Sequence, residues 1–246
     1  MKYNLLIIIP AKKSSVGLKN KNSKDFNGYP LFSYSLEAAK RIIEKKKIII
    51  CSTNCTKIKK ISEQYGVQVP VLRPNKISKK KSRDIDFINH CLNFYAKQNV
   101  FFKLGLILRP TSPLRTAKNL NKSYLVFKKN YRKFSSLKSI SVSKENPFKT
   151  WILKDDGKIE NVAKLRIKEF FNAPRQILPI TYRQTGSIEF FNVNFQKKIK
   201  SMSGKKIKGF ITNNFESIDI DNISDFVQAE SILKMNIGNF ITPIKI

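Results

Sequence analysis

Two short stretches of this sequence combine residue types that could bind a phosphorylated substrate. The first, IIIPAKKSSVGLKNKN (7–22), follows an apolar run and contains four lysines, two serines and one glycine. Backbone N–H groups in such a loop, together with hydroxyl and ammonium groups, can hold phosphate oxygens. The stretch matches neither Gly-x-Gly-x-x-Gly nor Gly-x4-Gly-Lys-Ser/Thr. Taken alone, it fits a phosphate-binding loop and a solvated basic turn about equally well.

The second stretch, ESIDIDNISDF (216–226), carries four of the few acidic residues of the chain. Its pattern predicts the end of a strand, in which Asp219 and Asp221 project to one side while Ile220 faces the core. Two carboxylates on one face repel unless a cation lies between them. Mg²⁺ on a nucleotide uses one or two such carboxylates. Ion pairs between these acids and nearby lysines are an equally good interpretation.

A third segment, LRPTSPLRTAKNL (108–120), predicts a rigid turn directly after a buried strand. Its two prolines restrict the backbone, and Thr111, Ser112 and the arginines offer hydrogen-bond donors. This combination suits a binding loop. The alternative is a plain connection in which Thr116 caps the next helix.

The elements that must position these residues alternate along the first half of the chain. Short branched runs predict buried strands at 4–9, 46–52, 67–72 and 102–108, and helical periodicity covers 30–45, 54–66 and 82–98. In the first of these helices Leu31, Tyr34, Leu36, Ala38, Ala39 and Ile42 form one apolar face. We therefore predict an α/β fold with a mostly parallel sheet flanked by helices. Ligands of such sheets bind beyond the carboxyl ends of the strands, here the loops starting at Pro10, Ser52, Arg73 and Arg109.

The pattern changes after about residue 139. Residues 147–162 predict a hairpin around Asp156-Gly157, and strands return at 185–193 and 206–213 before a helix at 222–235 capped by Asn222. We interpret residues 1–246 as a single domain. Residues 140–183 are then a small protruding arm inserted into it, suited to dimerisation.

Composition restricts the class of protein. The 246 residues include 48 Lys plus Arg against 17 Asp plus Glu, a net charge of +31, which would attract nucleic acid, anionic lipid or a phosphorylated substrate. Three cysteines, an odd number, indicate reduced thiols and hence a cytoplasmic protein. No apolar run is long enough for a membrane span. A basic nucleic-acid-binding protein stays an alternative, but no zinc-finger spacing, aromatic RNA-binding pattern or basic zipper is present.

Six segments in the same order resemble the motifs of the acylneuraminate cytidylyltransferases, the CMP-sialic acid synthetase family. They are IIPAKKSSVGLKNKN with the following NGYPLFSYSLEAAK, CSTN, VLRPNKIS with IDFINHCL, LRPTSPLR, APRQILPITYRQTGSIEFFN and IDIDNISDFVQAE. The resemblance covers nearly the whole chain. It implies a Rossmann-like nucleotidyltransferase fold and a homodimer built through the arm.

The resemblance also implies an activity and a set of site residues. The activity is transfer of CMP from CTP to the anomeric hydroxyl of an acidic nine-carbon sugar, a nonulosonic acid, with release of pyrophosphate and with Mg²⁺ as cofactor. Positioning and charge neutralisation would supply the rate. The implied nucleotide-binding residues are Ala11, Lys12, Ser15, Lys21, Asn22, Arg73 and Ser82. The implied catalytic residues are Lys12, Lys21, Asp219 and Asp221, of which the two aspartates hold the metal. The implied acceptor-sugar residues are Arg109, Arg175, Gln176 and Glu189.

The sequence departs from the family pattern at several of these positions. Val16 stands where the family has lysine, Lys12 where it has arginine, and Lys80-Lys81 where it has two aspartates. Arg109 replaces a glutamine and Glu189 a tyrosine. These departures point to a changed acceptor or to a divergent, catalytically impaired member that binds nucleotide. A cytidylyltransferase for the eight-carbon acid Kdo is a further alternative, although its arginine-rich opening motif is matched less well.

Overall fold

The computed structural model describes residues 1–13 and 17–244, which form a six-stranded sheet flanked by helices. The strands are β1 (Lys2–Pro10), β2 (Asp25–Phe26), β3 (Tyr29–Pro30), β4 (Lys47–Ser52), β5 (Phe101–Ile107), β6 (Ser136–Val142), β7 (Trp151–Leu153), β8 (Ile159–Asn161), β9 (Tyr182–Asn192) and β10 (Ile207–Ile211). The helices are α1 (Ser33–Lys40), α2 (Thr56–Gln64), α3 (Asp84–Ala96), α4 (Ala117–Asn130), α5 (Val193–Ile199) and α6 (Ile223–Lys234).

The main sheet has the order β10-β6-β9-β5-β1-β4. Strand β1 pairs in parallel with β4 and β5, and β10 pairs in parallel with β6. Strand β9 runs antiparallel to both of its neighbours, β5 and β6. The predicted mostly parallel α/β sheet is confirmed, with one reversed strand.

Strand β1 is buried on both faces, as its uniform apolar run predicted. Leu5, Ile7 and Ile9 belong to the core layer that contains α1 and α4, whereas Leu6 and Ile8 belong to the layer that contains α3. All five residues are fully buried. A strand covered by helices on both faces needs no polar alternation, which explains the continuous hydrophobicity of the sequence.

Local signals at the helices are also confirmed. The six apolar residues predicted for the face of the first helix are all buried. Thr116 accepts a hydrogen bond from the N–H of Asn119 at 3.3 Å, and Asn222 accepts one from the N–H of Asp225 at 3.0 Å. Both side chains cap helices by satisfying N–H groups of the first turn.

The strand predicted at 67–72 is wrong. Only a single parallel bridge joins Gln68 to Ile50, and Val67 and Val69 are buried without belonging to a strand of the sheet. Pro70 has no N–H with which to continue a hydrogen-bonded ladder. The apolar run reflects packing against the core rather than a strand.

Residues 143–181 leave the main sheet between β6 and β9. They contain the two-stranded pair β7 and β8, which confirms the predicted hairpin around Asp156-Gly157. The range 140–183 predicted for the arm extends into β6 and β9 at its two ends. We call residues 143–181 the arm from here on.

Candidate active site

A cavity of about 290 Å³ lies beyond the carboxyl ends of the neighbouring parallel strands β1 and β5. We call it the strand-end cavity. Its lining residues are Pro10, Lys12, Lys21, Asn22, Arg73, Ile77, Lys79, Ser82, Arg83, Asp84, Phe87, Arg109, Pro110, Thr111 and Asp221. Three of the four loops predicted to bind ligand, those starting at Pro10, Arg73 and Arg109, line this cavity, whereas the loop starting at Ser52 is not among its described lining residues.

The lining of the strand-end cavity is strongly cationic. Among the described residues, six lysine and arginine side chains and two aspartates line the cavity. They come from loops that are far apart in the chain. Low-dielectric walls concentrate the field of such charges, so the cavity attracts polyanions. Its electrostatics therefore suit a polyphosphate.

Lys21 connects the opening loop to the acidic segment at the other end of the chain. Its side chain is only 6% exposed, and Nζ donates to the carbonyl of Ile220 at 2.5 Å and to Oδ1 of Asp221 at 3.3 Å. Asp221 itself is 77% exposed. A buried ammonium group is thereby held next to a carboxylate that stays open to the cavity.

Gly17 lets the opening loop approach this segment closely. Its φ of 91° lies in the left-handed region, and a Cβ at this position would lie 2.5 Å from the carbonyl oxygen of Asp221. Any other L-residue would strain the backbone and push the aspartate away. Glycine is therefore required here both for the turn and for the contact.

Asp219 is the second carboxylate at this point. Its Oδ1 is buried and has no hydrogen-bond partner among residues 1–13 and 17–244. Burial raises the pKa of Asp219, an effect that a hydrogen bond with Thr111 and the charges of Lys21 and Arg109 oppose. A buried carboxylate with an open oxygen is suited to a cation that completes its coordination.

The prediction that Asp219 and Asp221 lie at the end of a strand is wrong. Strand β10 ends at Ile211, and the later segment makes a turn and then an irregular stretch, in which the N–H of Ile220 donates to the carbonyl of Thr111 at 2.8 Å. This segment therefore forms a backbone hydrogen bond with the loop after β5 and does not pair as a strand of the sheet. Ile220 is fully buried, so that part of the prediction is confirmed.

Two other acids of the same segment are structural. Glu216 is buried and accepts hydrogen bonds from the N–H and hydroxyl of Thr116, at 3.0 and 2.7 Å. Asp225 accepts from the N–H groups of Asp221 and Asn222 at the start of α6. Both carboxylates satisfy helix N-termini, which leaves Asp219 and Asp221 as the pair available to a ligand.

Arg73 and Ser82 line the side of the cavity formed by α3. Arg73 is buried, donates to the hydroxyl and carbonyl oxygens of Ser52 at 3.1 and 2.7 Å, and lies 4.7 Å from the ring centre of Phe87. Burial lowers its pKa. This wall combines a flat cation, an aromatic ring and a hydroxyl, which can accommodate a planar base.

The remaining residues of the opening loop divide into framework and lining. Ala11 is fully buried, and its N–H donates to the carbonyl of Ser52 at 2.9 Å. Asn22 donates to the carbonyl of Lys12 at 2.8 Å, which fixes the loop, and both residues line the cavity. Ser15 and Val16 lie outside the described residues.

Arg109 and Glu189 contact each other directly. Nε of Arg109 lies 2.8 Å from Oε1 of Glu189, and Nη2 lies 2.5 Å from Oδ2 of Asp84. Lys138 binds the other oxygen of Glu189 at 3.0 Å. The charges of Glu189 and Asp84 outweigh burial and raise the pKa of Arg109. The two departures from the family pattern at these positions thus form one ion pair.

Arg175 and Gln176 lie on the arm and are exposed. Neither lines the strand-end cavity. Arg175 donates to the carbonyl of Lys144 at 2.6 Å, and Lys144 lines a second cavity of about 770 Å³. This adjoining cavity shares Asp221 with the strand-end cavity and also contains Asp219.

Sequence reasoning did not single out Asp84 and Lys138, which the structure places in or under the site, and it gave Arg115 only as one of two arginines offering donors in a candidate binding loop. Arg115 is 1% exposed and donates to Ser187 O, Ser35 Oγ and Arg109 O at 2.8, 3.0 and 2.7 Å. Burial lowers its pKa to about 9. The signal for it was the second arginine of LRPTSPLR, whose partners could not be known without the fold.

No group of three or more His, Cys, Asp or Glu side chains that could hold a metal ion occurs within the described parts of the chain. His90, on α3, has a pKa lowered by burial and by the charge of Arg73. Cys51 and Cys91 are buried, and Cys55 is half-buried; none of the three is paired. A metal site made only of protein ligands, such as a zinc site, is therefore absent from residues 1–13 and 17–244.

The sheet order defines a Rossmann-like α/β protein with a strongly cationic cavity at its strand ends. Comparison with known proteins makes this specific. The chain belongs to the cytidylyltransferase family, whose model matches residues 6–230.

Relatives of known name support the assignment. The chain is 28% identical over 233 residues to the CMP-N,N'-diacetyllegionaminic acid synthase of Legionella pneumophila, covering 94% of this chain and 97% of that protein. It is 27% identical over 232 residues to the N-acylneuraminate cytidylyltransferase of Escherichia coli, covering 94% of this chain. The match spans only 52% of the E. coli protein.

Solved structures agree on the fold. A CMP:2-keto-3-deoxy-manno-octonic acid synthetase complexed with CTP superimposes with a TM-score of 0.68 at 10% identity, over 95% of this chain and all of that one. The 4-diphosphocytidyl-2C-methyl-D-erythritol synthase of Anaerococcus prevotii gives 0.62 at 16% identity, over 94% and 99%. At these identities the likeness concerns the fold.

None of the helices within the described ranges is long and apolar enough to cross a membrane.

Proposed function

We propose that this protein transfers CMP from CTP to the anomeric hydroxyl of a nonulosonic acid and releases pyrophosphate. The observation that carries the proposal is the contact of Lys21 with Asp221 at one side of a cationic cavity, with Asp219 in the adjoining cavity, in a chain of the cytidylyltransferase family. Relatives named as synthases of CMP-legionaminic acid and as N-acylneuraminate cytidylyltransferases support this class of acceptor.

In the proposed reaction the anomeric oxygen of the acceptor attacks the α-phosphorus of CTP. The bond from that phosphorus to the oxygen bridging to the β-phosphate breaks, pyrophosphate departs with the bonding electrons, and the hydroxyl proton passes to solvent or to a base. Lys12 and Lys21 would neutralise charge on the triphosphate. Arg73, Ser82 and Phe87 would surround the base. The protein contributes positioning and charge stabilisation rather than covalent chemistry.

Asp219 and Asp221 would hold Mg²⁺. The buried Oδ1 of Asp219, which has no hydrogen-bond partner within the described parts of the chain, and the exposed carboxylate of Asp221 fit a hard cation that keeps several waters and takes its remaining ligands from phosphate. When bound, the ion would polarise the phosphate and neutralise the negative charge that develops in the transition state. Lys21 would orient Asp221 toward it.

The adjoining cavity is the proposed place of the acceptor. It meets the strand-end cavity at Asp221, so an acceptor there would lie next to the phosphate end of the nucleotide. Its lining includes the cations Lys144 and Arg183 and the amides of Asn213, Asn214 and Gln228, which suit a carboxylate and hydroxyl groups. None of the four residues predicted to bind the acceptor is among the described residues that line this cavity. Arg109 lines the strand-end cavity, Glu189 is buried in an ion pair with Arg109, and Arg175 contacts the carbonyl of Lys144 from the arm, where Gln176 also lies.

A homodimer built through the arm is part of the proposal. Several large apolar side chains of the arm are exposed: Ile152, Leu153, Ile159, Val162, Ile167, Ile177 and Ile180. Exposed apolar residues concentrated in one segment favour a protein interface. A partner arm would also bring Arg175 and Gln176 within reach of a second site.

The test is incubation of the purified protein with CTP, Mg²⁺ and a panel of acids: N-acetylneuraminic, N,N'-diacetyllegionaminic, pseudaminic and 2-keto-3-deoxy-manno-octonic acid. We expect release of pyrophosphate and a product with the mass of a CMP-sugar for one of the nine-carbon acids. A product only with the eight-carbon acid would change the acceptor class. Failure to release pyrophosphate with any of these acids would contradict the proposal.

The sequence departure at Val16 makes an impaired member the second candidate. Such a protein would bind CTP and still give no product. In that case Val16→Lys, which restores the residue typical of the family, should raise the rate strongly. An active wild-type protein that gains nothing from Val16→Lys would show that other lysines compensate.

A further inference from the structure

Four charged side chains from separate elements form one cluster beside the strand-end cavity. Asp84 begins α3, Arg109 follows β5, Lys138 lies on β6 and Glu189 on β9. Arg109 bonds Asp84 at 2.5 Å and Glu189 at 2.8 Å, and Lys138 bonds Glu189 at 3.0 Å. Two cations and two anions balance within the cluster.

Burial in the cluster increases from the cavity inward. The exposed side-chain fraction is 35% for Asp84, 25% for Arg109, 13% for Lys138 and 2% for Glu189. Arg109 uses Nε toward one carboxylate and its terminal nitrogens toward the other. Because the guanidinium is planar and rigid, bonds on two edges fix its orientation.

The cluster connects the start of α3, on one side of the strand-end cavity, with strand β9. Asp84 and Arg109 line the strand-end cavity beside α3. The stem of Arg109 passes Gly186 of β9, where an added Cβ would lie 3.5 Å from Cδ of Arg109 and 3.9 Å from Oδ2 of Asp219. The arginine therefore joins the wall proposed for the base to the strand next to the proposed metal ligands.

We propose that Arg109 is a positioning residue. Asp84 and Glu189 hold it as a cross-link between the N-terminus of α3 and β9, and nucleotide affinity depends on Asp84 through Arg109. This inference rests on the proposed function only for the identity of the nucleotide. The guanidinium, already committed to two carboxylates, acts by fixing the cavity wall that carries Ser82 and Phe87.

A direct role of Asp84 is the competing explanation, since its carboxylate also lines the cavity and could accept from a ligand. The two explanations differ in additivity. If Asp84 acts through Arg109, removing its charge matters only while Arg109 is present. If Asp84 binds the nucleotide itself, its loss matters equally in both backgrounds.

The experiment measures the Kd of CTP with Mg²⁺ by calorimetry for the wild type, Asp84→Asn, Arg109→Gln and the double variant. We expect Asp84→Asn to weaken binding about tenfold, as for a lost charge-assisted hydrogen bond, and to add nothing to Arg109→Gln. No effect of Asp84→Asn, or an undiminished effect in the Arg109→Gln background, would overturn the inference. Glu63→Gln, which removes an exposed i,i+4 pair with Lys59, should leave Kd unchanged.

A second readout does not require nucleotide binding. Hydrogen exchange of the amides of residues 88–91 in α3 should accelerate about tenfold in Asp84→Asn and in Arg109→Gln, and no further in the double variant. If exchange accelerates in the two single variants but the wild-type protein does not bind CTP, the proposed function is contradicted and the cross-link is still supported. Unchanged exchange in both single variants would contradict the cross-link.

Discussion

Nζ of Lys21 lies 3.3 Å from Oδ1 of Asp221, a contact between residues 200 positions apart. The same ammonium group binds the carbonyl of Ile220. The opening loop and the acidic segment, which looked like two separate motifs in the sequence, are therefore one site. Four predictions follow from this relationship and from the features around it.

Replacement of Lys21 should abolish most of the activity. Lys21→Met keeps the length of the side chain and removes the charge, so we expect kcat/KM to fall at least about a hundredfold, as when a preorganised charge at a transition state is lost. Pyrophosphate release is the measurement. Lys59→Met, at an exposed lysine of α2, is the control and should retain full activity. Equal activity of the two variants would exclude Lys21 from the chemistry.

Gly17 and Gly28 provide a matched pair of substitutions. Both have positive φ, 91° and 85°, so alanine strains the backbone at each by about 1–2 kcal/mol. Only at Gly17 would the new Cβ collide with the carbonyl of Asp221, whereas nothing lies within 4 Å at Gly28. Gly17→Ala should lose activity and need more Mg²⁺, while Gly28→Ala should lose only stability, as measured by thermal unfolding and Mg²⁺ titration.

Asp219→Asn should stabilise the protein in the absence of metal. Burial raises the pKa of Asp219 above its ordinary 3.8, so the folded state binds this proton more tightly than the unfolded state does. Ionisation therefore costs stability above the folded pKa, and this cost disappears as pH falls toward 3.8. We expect the variant to unfold at a higher temperature than the wild type at pH 7 and the difference to shrink toward pH 4.

The same variant should be inactive, because a neutral amide replaces a proposed metal ligand. Asp155→Asn, on the exposed hairpin of the arm, is the control and should change neither the melting temperature nor the rate. A stability of Asp219→Asn below that of the wild type at pH 7 would show that the hydrogen bond with Thr111 and the charges of Lys21 and Arg109 outweigh the effect of burial.

Charged substitutions on the arm should break the proposed dimer. Leu153 and Ile180 are 72% and 73% exposed, and an aspartate at either position would place charge in an apolar interface. Light scattering after size exclusion should show the mass of a monomer for Leu153→Asp and Ile180→Asp. Leu125→Asp, at a residue 52% exposed on α4, should leave the mass unchanged. A wild-type monomer would contradict the dimer outright.

Local signals in the sequence predicted much of the framework. The uniformly apolar strand β1, the burial of the apolar residues in and around α1 and the cap residues Thr116 and Asn222 were correct, because each depends on neighbours within a few positions, although α1 (Ser33–Lys40) is shorter than the predicted helix. The same reasoning failed at 67–72, where an apolar run packs against the core without strand pairing. It gave no strand for residues 136–142, although β6 lies within the sheet.

By itself, the sequence determined the α/β class, the motifs of the family and the positions of three loops that line the strand-end cavity. Only the tertiary structure distinguished the acids: Glu216 and Asp225 accept hydrogen bonds from helix N-termini, whereas Asp221 lines both cavities and Oδ1 of Asp219 has no hydrogen-bond partner among the described residues. It also decided that Arg109 and Glu189, each unusual alone, form one ion pair. The reason is physical, since a carboxylate's role depends on its burial and on the cations brought beside it by folding, and neither is encoded in local spacing.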